Sequence, residues 1–224
     1  MIEKRSKYIA VAIACVVVII GIVIYIKVIG PYEPYENYIS RGMKLFNEGK
    51  FEDAGREFER AARIKPDGYD AHFRLGITYL KQRKLKIAID RLQKAVEINP
   101  DAAEAYYSLA AAYHRDRNVE YALETYRKVL EIEPESFQAY NSIGGLYVIQ
   151  GKYSEAMDSF KKALKVNPDY YQAYLNMGRV YELQKKSLLA SKEYKKIIDF
   201  SSRVPVPDHI LKEAERRLSK LEKK

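Results

Sequence analysis

The sequence predicts an all-α protein: about five stacked helical hairpins and a closing helix, preceded by one membrane-spanning helix. Three observations carry this reading. Proline recurs at a constant step of 34 residues, at Pro66, Pro100, Pro134 and Pro168. Between the prolines, apolar residues fall three or four apart, the period of a helix with one buried face. Near the N-terminus, the nineteen residues from Tyr8 to Ile26 carry no charge.

The N-terminal run is the first element. As a helix it would be about 28 Å long, close to the hydrocarbon thickness of a bilayer. Lys4, Arg5 and Lys7 precede it, Lys27 follows, and Gly30-Pro31 ends it. A buried core helix and a cleaved signal peptide are the rival readings. The run exceeds the usual apolar region of a signal peptide, and Tyr25 to Ile29 offers no small-x-small cleavage site. The expectation is a basic flank over 1–7, a membrane span over 8–29 and a short linker over 30–34. The excess of basic residues before the span places the N-terminus in the cytoplasm and the rest on the extracytoplasmic side, periplasmic in a bacterium. Cys15, the sole cysteine, lies in this run, so the remainder of the chain has no disulfide.

The hairpins come next. Small residues recur at Gly42, Gly76, Ala110, Gly144 and Gly178, and again at Ala54, Ala88, Ala122, Ala156 and Ala190. Large ones recur at Leu45, Tyr79, Tyr113, Tyr147 and Tyr181, and at Phe58, Leu92, Tyr126, Phe160 and Tyr194. A further apolar column, Leu75, Leu109, Ile143 and Met177, is broken by Arg41 in the first interval. Small columns let two backbones approach, and large ones fill the space beside them. Proline at the end of each second helix lacks the N–H that would continue it. Asp67, Asp101 and Asp169 follow three of these prolines and are expected to cap the next helix. Gly49-Lys50 and Gly151-Lys152 fit tight turns inside two hairpins.

These columns resemble the tetratricopeptide repeat family over residues 35 to 204, as units 35–68, 69–102, 103–136, 137–170 and 171–204. The fifth unit departs from the pattern, with Ser202 in the proline position and Pro205 and Pro207 just beyond. The resemblance implies antiparallel helix pairs stacked into a right-handed superhelix with a concave groove. Residues 208–223 then form one more amphipathic helix, with Ile210, Leu211, Ala214, Leu218 and Leu221 on one side. Its expected role is to cap the last hydrophobic face, and docking to a partner is the alternative.

Residues that carry chemistry are sparse. His72 shares a column with Tyr38, Tyr106, Tyr140 and Tyr174, which points to packing, and His209 opens the last helix. No His or Cys spacing suits a metal or a nucleophile–base pair, so neither catalytic residues nor cofactors are expected. The net charge is +9, and residues 171–204 hold seven basic against three acidic side chains. Such a patch fits an acidic partner or anionic headgroups, and no nucleic-acid partner is expected.

In the resembled family, ligands lie along the first helix of each unit. Carried onto this chain, that face comprises Ile39, Met43 and Phe46, then Phe73, Ile77 and Leu80, then Tyr107, Ala111 and His114. It continues through Asn141, Gly145 and Val148 to Leu175, Arg179 and Glu182. Its apolar character is unusual for a solvent-facing surface and marks an interaction site. The basic clamp of the chaperone-binding members is missing, and only Asn141, Asn176 and Arg179 are suited to hold a peptide backbone or carboxylate. Packing of these residues on one another, or self-association through them, is the competing explanation. The functional expectation is a membrane-anchored scaffold that binds a protein segment in this groove and serves assembly of envelope complexes. A cytosol-facing receptor and a self-assembling platform are the alternatives.

Overall fold

The computed structural model describes residues 15–21 and 33–222. Residues 15–21 are helical. The rest of the expected membrane span lies outside the described residues. Among the described residues no helix is long and apolar enough to cross a membrane. A crossing needs about 20 consecutive apolar residues in helix. This corrects the expectation of a single-pass protein with a cytoplasmic N-terminus and extracytoplasmic repeats, and with it bilayer contact through 8–29.

The chain divides into two compact units, one ending at Pro66 and one beginning at Asp67. In the first unit, α1 (Tyr35–Asn47) pairs with α2 (Phe51–Ile64). Here Arg41, the residue that interrupts an apolar column, donates from Nε to Glu57 at 2.7 Å and from Nη2 to Glu33 at 3.0 Å. Arg60 donates to the second oxygen of Glu57 at 2.6 Å. An ionic cluster therefore stands in the first hairpin where later hairpins pack apolar side chains.

The second unit is a stack of hairpins. They are α3 (Tyr69–Lys81) with α4 (Leu85–Ile98), α5 (Ala103–Arg115) with α6 (Val119–Ile132), α7 (Phe137–Ile149) with α8 (Tyr153–Val166), and α9 (Tyr171–Leu183) with α10 (Ser187–Phe200). A last helix, α11 (Asp208–Glu222), packs on α10. Within the stack, the second helix of each hairpin packs on the first helix of the next.

The repeating columns interlock as small against large. A Cβ added at Gly76 would lie 2.4 Å from Leu92, at Gly144 2.5 Å from Phe160, and at Gly178 2.4 Å from Tyr194. Leu92, Phe160 and Tyr194 are fully buried, and so are the alanines at 88, 122, 156 and 190. The helices of these three hairpins thus approach closely because one carries no side chain where the other carries a large one, and the third hairpin has only the methyl of Ala110 there.

Every hairpin turns in three residues, and the middle one sits in the left-handed region: Gly49, Arg83, Arg117, Gly151 and Lys185, with φ of 59–75°. The residue after it donates its N–H back five positions, as Lys84 does to Tyr79 and Lys186 to Tyr181. This satisfies a carbonyl at the helix end, the usual logic of a left-handed C-terminal cap. Between hairpins, Asn99 and Asn167 accept the backbone N–H of Asp101 and Asp169 at 3.2 and 3.1 Å. The expectation that the aspartates cap the next helices is corrected. No side chain caps α3, α5 or α9. At two of these turns the preceding asparagine closes the bend instead.

Candidate functional site

The first helices of successive hairpins in the second unit meet along one line, at a step of 35 residues. The Tyr69 hydroxyl donates to Glu104 at 3.3 Å. Tyr107 and Ser142 hydroxyls lie 3.2 Å apart. Asn176 donates its amide N–H to the Asn141 carbonyl oxygen at 3.0 Å. Arg217 of α11 donates to Glu182 at 3.0 Å. The last contact places α11 in the position of a further first helix.

Between the second and fourth hairpins this line opens into a cavity of about 400 Å³. Phe73 and Ile77 from α3, Tyr107 and Ser108 from α5, and Val129 from α6 line it. Glu104, Glu133, Ser136 and Gln138 stand around it. A wider depression of about 620 Å³ shares Glu133, Ser136 and Gln138 and adds Pro134 and Glu135. Phe73 is held in place by stacking on Tyr69, centroid to centroid 5.5 Å. Tyr107 is held by edge contact with Tyr126 at 5.2 Å and by its bond to Ser142. Burial raises the Tyr126 phenol to about 12, so it remains protonated at any physiological pH.

Of the expected face, Phe73, Ile77 and Tyr107 therefore share one cavity. The structure separates the others. Ile39 and Phe46 are half-buried and Met43 is exposed in the first unit. Leu80 is buried within its hairpin. His114 is half-buried, and burial followed by the neighbouring Arg115 holds its imidazole below the ordinary range, so it is neutral at pH 7. Val148 packs on the cluster around Phe160 and Met177. Leu175 is 2% exposed and joins Tyr194, Ile197, Ile210 and Ala214 in a core cluster. Arg179 lies 3.7 Å from Glu213 of α11. The expectation of a solvent-facing surface is thus corrected for Leu80 and Leu175, because hairpin packing or α11 covers them, while Phe73 keeps only 8% of its surface exposed, at the cavity wall. Ser108, Val129, Glu133, Ser136 and Gln138 were not expected at the site. The helix period places only the first helices on this face, whereas these residues include the end of a second helix and the loop after it. Among the described residues, no three His, Cys, Asp or Glu side chains are grouped to hold a metal.

Stacked hairpins whose leading helices share a lined cavity define a repeat scaffold, a class that acts by holding other proteins. The chain belongs to the tetratricopeptide repeat family. One tetratricopeptide repeat model matches residues 40–86 and 74–137, and a TPR repeat model matches 144–185, together well over half of the chain. No curated protein matches it in sequence. Among solved structures it is similar to MamA, with 25% identity, a TM-score of 0.67, and coverage of 72% of this chain and 95% of that one. It is also similar to PilF of Pseudomonas aeruginosa, with 17% identity, a TM-score of 0.67, and coverage of 84% and 88%. A third is YrrB, a TPR protein with an unusual peptide-binding site, with 20% identity, a TM-score of 0.62, and coverage of 80% and 90%. The likeness to PilF and YrrB is one of fold. As a tetratricopeptide repeat protein, the chain is a protein-interaction scaffold.

Proposed function

We propose that the working surface of this scaffold is the cavity line of the second to fourth hairpins, and that it holds an extended or helical protein segment by its apolar side chains. The observation that carries this is the open cavity of about 400 Å³ with Phe73, Ile77, Tyr107 and Val129 on its walls. Apolar side chains around open space gain by covering, at about 25 cal/mol per Å² removed from water. Beyond the cavity, the half-buried Asn141–Asn176 pair keeps amide N–H and carbonyl groups uncommitted, which suits a peptide backbone. YrrB, which shares the fold, has a peptide-binding site. The envelope setting rested on an anchored layout and goes with the anchor.

The test is a crosslinking pulldown from native cells with the Phe73→Ala/Tyr107→Ala double variant, its fold checked by circular dichroism and melting. Recovery of partners is expected to fall at least about tenfold, the loss typical of removing two apolar anchors. Unchanged recovery by a folded double variant overturns the reading.

A further inference from the structure

The charge around the cavity runs against the charge of the chain. The protein carries +9. Residues 69–102 hold seven basic and four acidic side chains, 137–170 four and three, and 171–204 seven and three. The third hairpin with its following loop, 103–136, is reversed, with four basic and seven acidic. Three of those acids, Glu104, Glu133 and Glu135, are exposed and stand at the cavity and the depression that adjoins it.

Elsewhere in the second unit, several glutamates are tied to cations. Glu131 pairs with Lys128, Glu193 with Lys196, Glu182 with Arg217, and Glu213 with Arg216 and Arg217. Glu104, Glu133 and Glu135 have no ion pair among the described residues, and only Glu104 has a side-chain bond, from the Tyr69 hydroxyl. Arg74 on α3 is turned to Asp70 at 3.9 Å, and His114 on α5 is neutral. Three carboxylates without a cation therefore stand at the apolar cavity and the depression beside it, Glu104 and Glu133 at the first and Glu133 and Glu135 at the second. Such a field attracts cations and repels acidic segments, with a range of about 8–10 Å at physiological salt.

We propose that the occupant of this cavity is a basic protein segment, one that seats an apolar side chain against Phe73, Ile77 and Tyr107 and sets Lys or Arg beside Glu104, Glu133 and Glu135. The proposal rests on the cavity reading above and names its partner class. The apolar walls supply affinity, and the carboxylates select the segment and its direction. The basic fifth hairpin plays no part in this contact.

The experiment is selection of a random twelve-residue displayed peptide library on the full chain, run in parallel on three forms. These are the wild type, the Glu104→Gln/Glu133→Gln/Glu135→Gln variant and the Phe73→Ala/Tyr107→Ala variant, each first shown to melt cooperatively. Wild type is expected to enrich peptides with Lys or Arg within three positions of Phe, Tyr, Leu or Ile. A labelled peptide from that pool should bind the triple Gln variant about tenfold more weakly, and should weaken with NaCl for wild type only. Enriched peptides without a basic bias overturn the basic-segment proposal and leave the cavity reading standing. The same enrichment by the Phe73→Ala/Tyr107→Ala variant overturns both. Light scattering of the wild type alone is the last arm. A dimer that the triple Gln variant abolishes assigns the face to a second copy and overturns the proposal.

Discussion

The third and fifth hairpins present the same columns at the same step, and they meet opposite fates. Around the third, Phe73, Ile77 and Tyr107 border open space. At the fifth, Leu175 is buried among Ile197, Ile210 and Ala214, while Arg179 and Glu182 are engaged by Glu213 and Arg217. The difference is not in the columns themselves. It is in what the next leading helix brings: α11 sets Ile210, Ala214, Glu213 and Arg217 against the fifth hairpin, whereas around the third the neighbours leave a gap. Position on the inner face is therefore a necessary condition for a binding surface and not a sufficient one.

The strongest way to break this comparison is to truncate one tyrosine in each region. Tyr194 is fully buried and donates its hydroxyl to Glu182 at 2.6 Å. Tyr194→Ala is expected to cost about 3–5 kcal/mol in denaturant unfolding and to loosen α11. Tyr107→Ala, at the half-open site, is expected to cost about 1–2 kcal/mol, the loss of one hydrogen bond and partial burial. Equal costs would mean that the two regions are packed alike.

A smaller effect tests the close approach beneath both. Gly178→Ala forces a methyl against the fully buried Tyr194 ring, with about 1–3 kcal/mol expected from overpacking. The third hairpin already carries alanine at the equivalent position, Ala110, opposite Tyr126. Ala110→Gly is expected to lower the melting temperature only through helix propensity, about 1 kcal/mol.

Acid should loosen the fifth region. Hydrogen bonds from Arg216 and then Arg217 draw the Glu213 carboxyl down to about 2. Its folded value lies below the ordinary 4.5. The stabilisation is therefore present above pH 4.5 and is lost as pH falls toward 2. Between pH 5 and 2, amide exchange in α11 is expected to rise more steeply in wild type than in Glu213→Gln. Parallel profiles would show that this carboxylate does not hold the helix.

The smallest expected effect lies in the turns. Arg83, Arg117 and Lys185 occupy left-handed backbone that side chains resist. Arg117→Gly is expected to raise stability by about 0.5–1 kcal/mol, and Gly151→Ala to lower it by a similar amount. A loss on Arg117→Gly would show that the arginine side chain, and not the turn, matters there.

Much of this was legible beforehand, for a physical reason. A 34-residue step of small, large and proline positions admits few ways of burying its apolar surface, because each hairpin can nest only on another of the same shape. The pairing of Gly144 with Phe160 and of Gly178 with Tyr194 follows from those columns. The left-handed turns at Arg83, Arg117 and Lys185 were not legible. Arginine and lysine carry no turn signal, and the backbone there is set by helix packing on either side.

Sequence by itself determined the hairpins, their number and the face on which their leading helices meet, since these depend on local period and on side-chain size. Tertiary structure alone decided which stretch of that face stays open, because closure depends on the residues set opposite by the next hairpin, 35 positions away. It also decided the company of Glu104, Glu133 and Glu135, which stand at the cavity and the depression beside it only once a helix start and a loop are folded side by side.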